Sequence, residues 1–461
     1  MPNKLIEGSW LRVPQSWVDN RRLRAELKLP NESYWSALQT GQSVEGLSPH
    51  IKLWRKKNKY YYVPRHYELP LNDKGKRLLQ KQGGIKKRRP KTKSSSTIEC
   101  LAEPRNKVQV SSVEALVRDR KDKILALGCG AGKTVCSIIA AVRAKRFPVL
   151  IVVNTNALMD QWEDRIKQFL KINGKTPVVG RVQGPKCDWE GFDISVAMLH
   201  SLVMRKYPKD FFSYWKLLVF DEAHRLGADL FSKACPMFQG ERWGLTATLK
   251  RPDGMDKVIQ FHLGKVAFEF LDQPLKPIVY FVQTGESFDD KRFRLWGGKG
   301  RISLARLINH VCGMERRNEF INKWVHKAAV EQNRTILVLG ERVGQLEKLH
   351  ELCSCTSKAL HVGSMSQEER KDALSQQVVF ATQHLAKEAL DCPAFDTLLI
   401  LFPFSGEGRF RQSTGRILRE VAGKKKPKVL VFVDDCSIIR SMVSKMQQNA
   451  RKLGFKTKVI R

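Results

Sequence analysis

The sequence predicts an α/β protein with two tandem domains built on parallel sheets, preceded by a small α+β or β-rich N-terminal domain. Three observations carry this prediction. Beyond residue 98, near-continuous apolar runs alternate with amphipathic helical segments; residues 1 to about 80 lack that alternation and are rich in Trp and Tyr; and a Lys- and Arg-rich stretch separates the two regions. Strands covered on both faces read as unbroken apolar runs, and their regular alternation with helices is the pattern of parallel sheets. A chain of 461 residues is long enough for about three domains with cores of their own.

The N-terminal domain is placed at 1–80. Its aromatic content includes Trp10, Trp17, Tyr34, Trp35, Trp54, Tyr60, Tyr61, Tyr62 and Tyr67, enough apolar area for a small core. Within His50-Ile-Lys-Leu-Trp-Arg-Lys-Lys-Asn-Lys-Tyr-Tyr-Tyr-Val63, two short β-prone runs flank a basic, Asn-containing turn, which predicts a hairpin. Aromatics interleaved with Lys and Arg suit a nucleic-acid backbone and stacked bases. The same residues equally suit an internal core with solvated lysines.

Residues 81–97 read as a basic flexible linker, too charged and too poor in apolar side chains to pack. The cluster Lys86–Lys93 also fits a nuclear-localisation signal, although a basic arm lying along phosphates explains it as well. After the linker come a first α/β domain at 98–275, a connector or inserted loop at 276–304, and a second α/β domain at 305–461. Their strand candidates include Val149–Val153, Leu217–Phe220, Thr335–Leu339, Thr397–Leu401 and Val429–Val433. A helix is predicted from Asn156 to Leu170, with Asn156 as N-cap and Leu158, Trp162, Ile166 and Phe169 on one face.

Charge narrows the class of partner. The chain has 82 Lys and Arg against 46 Asp and Glu, a formal net charge of +36. Residues 1–97 hold 22 of the basic residues and only 7 acidic ones. Such an excess calls for a polyanion, bound through phosphate contacts and counterion release. Nucleic acid fits better than a membrane, because no uninterrupted apolar run reaches transmembrane length and the start does not resemble a signal peptide. The expected location is the cytoplasm of a bacterium or phage-infected host, with the nucleus as alternative. The ten cysteines, including the close pair Cys353 and Cys355, lack zinc-ligand spacing and read as reduced thiols.

Two stretches carry chemistry. Lys123-Ile-Leu-Ala-Leu-Gly-Cys-Gly-Ala-Gly-Lys-Thr134 is an apolar strand entering a glycine-rich turn that ends in Lys-Thr. Glycines let backbone N–H groups close around a phosphate, the following helix adds its positive end, Lys133 reaches the β/γ-phosphates and Thr134 holds Mg²⁺. Leu127 stands where the longer phosphate-loop pattern has Gly, so the match is to the shorter core Gly130, Ala131, Gly132, Lys133 and Thr134. Leu217-Leu-Val-Phe-Asp-Glu-Ala-His224 then delivers two carboxylates at the end of a buried strand, where ligands sit in open parallel sheets. Asp221 is the natural Mg²⁺ anchor and Glu222 would polarise the attacking water.

Gly130-Ala-Gly-Lys-Thr134, Asp221-Glu-Ala-His224, Leu245-Thr-Ala-Thr248 and Gln412-Ser-Thr-Gly-Arg-Ile-Leu-Arg419 resemble, in order and spacing, motifs I, II, III and VI of superfamily 2 DNA helicases and translocases. Thr246-Ala-Thr-Leu-Lys-Arg-Pro-Asp-Gly254 is similar to the XPB-type repair helicases and the phage UvsW-like branch-migration helicases, with Arg251-Pro-Asp253 where the XPB type has Arg-Glu-Asp. The resemblance implies two RecA-like motor domains that use ATP and Mg²⁺. It makes Gln109 an adenine-recognising residue and assigns coupling to His224, Thr246 and Thr248. It places DNA contacts at Thr155, His200, Ser201, Arg251 and Thr382, and catalytic roles at Gln412, Arg416 and Arg419 beside Asp221 and Glu222. The two arginines, three residues apart on a predicted helix, would stabilise charge at the γ-phosphate.

The function expected from these features is an ATP-dependent DNA helicase or translocase acting on forked or branched DNA in replication, recombination or repair, with hydrolysis driven by domain closure. The alternatives are an XPB-like motor subunit of a repair or transcription assembly, an RNA-remodelling ATPase, and a DNA-binding module whose motor is degenerate. A nuclease lacks a further carboxylate and lysine cluster.

Overall fold

The structure, a computed structural model, describes residues 4–461 except 32–33, 36, 39–42, 91, 93, 129, 224–227, 248–255, 273–274, 295–301, 384, 386–393 and 419–422. The chain forms two compact units, Met1–Leu127 with Ala131–Leu271 and Gly128–Gly130 with Asp272–Arg461.

The first unit opens with β1 (Ile6–Glu7), β2 (Leu11–Pro14), β3 (Lys28–Pro30), β4 (His50–Lys52), β5 (Arg55–Lys57), β6 (Tyr60–Val63) and β7 (Lys86–Lys87). Five of them form a sheet in the order β5-β6-β2-β1-β7, and β3 pairs with β4. The expected hairpin is β5 with β6, Arg55 opposite Tyr62 and Lys57 opposite Tyr60. Asn58 makes its turn at φ 52°, a conformation Asn tolerates.

Two expectations about this region are corrected. Lys86–Lys87, inside the stretch read as a flexible linker, adds a parallel strand to β1, because an extended backbone can join a ladder whatever its side chains. The N-terminal sheet also lacks a core of its own: Leu11, Val13, Trp17 and Tyr67 belong to one continuous buried cluster with Ile124, Leu150, Phe220 and Leu263 of the α/β part. Tyr67 meets Phe261 edge-on at 5.4 Å, and the His66 N–H donates to the Phe261 carbonyl at 3.0 Å.

The α/β part contains β8 (Ile98–Cys100), β9 (Lys123–Leu127), β10 (Val149–Val153), β11 (Leu170–Ile172), β12 (Gly180–Gln183), β13 (Lys186–Cys187), β14 (Ile194–Met198), β15 (Leu217–Phe220), β16 (Glu241–Thr246) and β17 (Val266–Phe270). Eight of these form a sheet in the order β13-β12-β14-β10-β15-β16-β9-β17, parallel except at the β12–β13 edge. Helices cover both faces, as fully buried strands require. The helix read from Asn156 spans Asn156–Phe169, but its cap is Thr155, whose hydroxyl oxygen accepts from the Leu158 N–H at 3.3 Å.

The second unit holds β18 (Ile278–Ser287), β19 (Ile336–Gly340), β20 (Lys358–His361), β21 (Val378–Thr382), β22 (Thr397–Ile400), β23 (Lys428–Asp435) and β24 (Lys456–Ile460). They form one all-parallel sheet in the order β20-β21-β19-β22-β23-β18-β24. Here a further correction arises, since β18 lies within the stretch read as a connector at 276–304. Its partners β23 and β24 come 150 or more residues later in the chain, Ile278 pairing with Lys428 and Lys456, so nothing local assigns the run to this sheet. A buried network ties it in place: the Arg317 Nε donates to Asp434 at 2.7 Å and the Thr284 hydroxyl to the same oxygen at 2.6 Å. Both units are thus RecA-like parallel α/β folds, and a small β-containing region precedes the first. All described cysteines are free, and no helix among the described residues is long and apolar enough to cross a membrane.

Candidate active site

The strand order puts β15, β16 and β9 side by side. The Asp221–Glu222 turn, Thr246 and the glycine turn therefore leave the carboxyl ends of three adjacent parallel strands, the position where such sheets bind ligands. Beyond β9 the backbone takes left-handed conformations at Gly130 (φ 81°) and Gly132 (φ 94°) before the helix Lys133–Arg143. Gln109 braces this turn. Its side-chain amide donates to the Ala131 carbonyl at 3.1 Å and its carbonyl accepts from the Arg105 N–H at 2.9 Å. A Cβ on Gly132 would stand 2.5 Å from the Gln109 amide nitrogen, so both torsion and space require glycine. The Lys133 ammonium donates to the Leu127 carbonyl at 3.2 Å, and Thr134 opens the helix half-buried.

Asp221 follows β15 and is almost entirely buried. One of its carboxylate oxygens accepts from the Glu222 N–H at 2.8 Å and the other from the Trp162 indole N–H at 2.8 Å. Glu222 has φ 46°, an uncommon conformation for a side chain of this kind, and such backbone tends to occur at functional sites. Burial, and then the neighbouring Glu222 charge, push the Asp221 carboxyl up to about 6 against the lowering pull of Trp162 and Lys133. Two adjacent acidic groups, one of them buried, favour a cation there.

The remaining positions divide. Thr246 is buried at the end of β16. Thr155 caps its helix, and its hydroxyl hydrogen remains available to a phosphate. His200 is exposed, whereas Ser201 is buried with its hydroxyl oxygen accepting from the Gly184 N–H at 3.4 Å. Ser201, expected as a DNA contact, faces inward in this structure because the helix Leu199–Met204 packs that side on the core. His224, Thr248, Arg251 and Arg419 lie outside the described residues.

In the second unit, Thr382 ends β21 half-buried, followed by the buried Gln383. The helix carrying Gln412 spans Glu407–Gly415, with Arg416 as its C-cap at φ −64°; the expected pairing of Arg416 with Arg419 on one face involves Arg419, which lies outside the described residues. Sequence reasoning missed Arg409 on this helix. Its guanidinium donates to both Glu341 and Gln383 and lies over the Phe404 ring at 4.3 Å, binding the loops after β19 and β21 to the helix. Trp162 was legible only as a buried face residue, since nothing in an amphipathic pattern says that an indole N–H meets a carboxylate.

The family described as Type III restriction enzyme, res subunit, matches residues 95–251. A putative ATP-dependent RNA helicase, L396 of Acanthamoeba polyphaga mimivirus, is 26% identical over 320 residues, 68% of this chain and 60% of that protein. The DNA 3'-5' translocase XPB2 of Sulfurisphaera tokodaii is 30% identical over 161 residues, 35% of this chain and 34% of that protein. Mss116p, solved bound to ssRNA and AMP-PNP, superposes with a TM-score of 0.54 at 15% identity, over 77% of this chain and 74% of that one, a likeness of fold. These matches agree with the resemblance of the chain to the superfamily 2 helicases.

The chain has residues that fit ATP with Mg²⁺: a glycine-rich turn braced by Gln109, with no room for a Cβ at Gly132, and the buried Asp221 beside the half-buried Glu222. Thr134 and Asp221 would hold the metal, which supplies charge at the phosphate oxygens when bound. The N-terminal aromatics differ in exposure. Trp17, Tyr61 and Tyr67 are buried, while Arg55, Lys56 and Lys57 stand fully on the surface of edge strand β5. Arg55 lies 4.9 Å from the Trp10 ring centre and Arg12 4.6 Å from that of Tyr60.

Proposed function

We propose that the protein is an ATP-dependent motor that translocates on DNA and remodels forks or branched junctions in replication, recombination or repair. The observation that carries this reading is the shared end of β15, β16 and β9, which gathers Asp221, Glu222, Thr246 and the Gln109-braced turn around one ligand position. Asp221 and Thr134 hold Mg²⁺, Lys133 binds the terminal phosphates and Glu222 orients water. Gln412, Arg416 and Arg419 are the candidates for transition-state charge.

The net charge of +36 supports a polyanionic track. Contacts to phosphates, at Thr155, His200 and Thr382, carry little sequence information and favour recognition of structure over sequence. The location is cytoplasmic, in a bacterium or phage-infected host.

RNA is the second reading, favoured by the similarity to the mimivirus protein, a putative ATP-dependent RNA helicase. ATPase and unwinding assays on single-stranded DNA, blunt duplex, fork, Holliday junction and RNA separate the two. Stimulation greatest with forks or junctions supports the proposal, whereas stimulation by RNA alone overturns its DNA half. Lys133→Ala is expected to abolish hydrolysis and keep nucleic-acid binding; retained hydrolysis would reject the cradle.

A further inference from the structure

Trp162 occupies an unusual place between two functions. It lies in the helix Asn156–Phe169, is 1% exposed, and is surrounded by core side chains, with an apolar void lined by Ile138, Phe147, Ile166 and Val219 beside it. Yet its indole N–H donates at 2.8 Å to Asp221. A carboxylate has about four acceptor positions. The Glu222 N–H uses one on the first oxygen and Trp162 one on the second, so the carboxylate is held in a single orientation with capacity left on both oxygens for a metal or its water.

The same helix starts at Thr155, directly after β10 and at the carboxyl end of the sheet. Seven residues of helix, about 10 Å at 1.5 Å per residue, separate that cap from Trp162. Backbone hydrogen bonds along the helix tie that first turn to the turn that carries Trp162. Any shift of its first turn is therefore felt at the indole, and a displaced indole N–H would meet apolar side chains in place of its carboxylate.

We propose that Trp162 is a positioning residue for ATP hydrolysis: its N–H orients the Asp221 carboxylate for Mg²⁺, and its helix transmits nucleic-acid engagement at Thr155 to that carboxylate. This rests on Asp221 being the metal anchor and Thr155 a phosphate contact. Groups that orient a metal-binding residue from behind influence metal affinity strongly when removed.

The test is Trp162→Phe in the full chain, which deletes the donor and keeps most of the ring. Its ATPase is measured against Mg²⁺ concentration, with and without a saturating oligonucleotide, alongside its melting temperature. The expected result is a half-saturating Mg²⁺ concentration raised on the order of tenfold and a smaller stimulation by oligonucleotide, with KM for ATP at saturating Mg²⁺ little changed. A folded variant with wild-type Mg²⁺ dependence and stimulation overturns the proposal. Wild-type protein without any ATPase would instead reject the underlying functional reading.

A second measurement does not depend on that variant folding. In protein labelled with ¹⁵N at its Trp indoles, the resonance displaced by Asp221→Asn is expected to move in wild type when oligonucleotide is added. If that resonance stays still while the oligonucleotide binds, the transmission is rejected.

Discussion

Arg65 and Asp122 form an ion pair with both side chains wholly removed from solvent, Nη1 to Oδ2 at 3.0 Å, which joins the end of the N-terminal hairpin to the entrance of β9. The Arg65 guanidinium also donates to the carbonyls of Gly8, Phe238 and Gly240. Asp122 further accepts from the Arg242 N–H at 3.0 Å and lies 3.0 Å from His66 Nε2. Burial alone would raise the Asp122 carboxyl, but Arg65, His66 and Arg242 together hold it well below the usual carboxylate range. Burial, then Arg242, pushes Arg65 down to about 10.

Removing one member of this pair leaves the other buried and uncompensated. Arg65→Ala is expected to cost about 3–5 kcal/mol, read from urea unfolding. Because the N-terminal sheet and the first parallel sheet share one core, both should unfold in the same transition in wild type. Separate transitions followed by N-terminal and α/β probes would contradict that shared core.

His262 predicts a pH dependence. It is completely buried against Trp10 and Phe231, and neither ring nitrogen has a hydrogen-bond partner among the described residues. Burial, then the Arg242 charge, holds its pKa well below the ordinary histidine value. The unfolded chain therefore binds a proton near pH 6.5 that the folded chain does not, and stability is full above that pH and falls as pH drops below it. Melting temperatures between pH 8 and 5 should show this loss, and His262→Phe should flatten it. An equal slope in both proteins would assign the acid sensitivity elsewhere.

Gly132→Ala tests the phosphate turn without touching a charged group. At φ 94° an alanine costs on the order of 1–2 kcal/mol, and its Cβ would overlap the Gln109 amide. Binding of a fluorescent ATP analogue should weaken strongly while the melting temperature falls by only a few degrees, as a loss of about 1–2 kcal/mol implies. Undiminished binding would show that this turn is not the nucleotide cradle.

The exposed basic edge of β5 gives a measurement with a number attached. Replacing Arg55, Lys56 and Lys57 together by Gln should weaken DNA binding and make the plot of log affinity against log salt shallower by about 2 to 3. An unchanged slope means that these residues only guard a sheet edge from unwanted pairing.

The candidate site residues of the first sheet stand out in the sequence because their signals are local. Gly130 to Thr134, Asp221 and Glu222 each sit where a buried apolar run stops, and a strand-to-helix turn of small residues has few other uses. The hairpin of β5 and β6 was legible for the same reason. What stayed hidden depends on partners distant in the chain: β18 belongs to a sheet whose neighbouring strands come 150 or more residues later, and Arg65 finds Asp122 57 residues away. Arg409 looked like one more basic residue until the fold brought Glu341 and Gln383 to it.

The sequence by itself determined the class of fold, the order of its candidate motifs and a glycine-rich turn suited to phosphate, since strand pattern, glycine torsions and terminal charges act over a few residues. Only the tertiary structure decided that the aromatic N-terminal region shares the first sheet's core, and that Trp162 reaches Asp221. Burial and hydrogen-bond partnership are properties of three-dimensional neighbours, and a periodic pattern records which face is apolar without recording what that face meets.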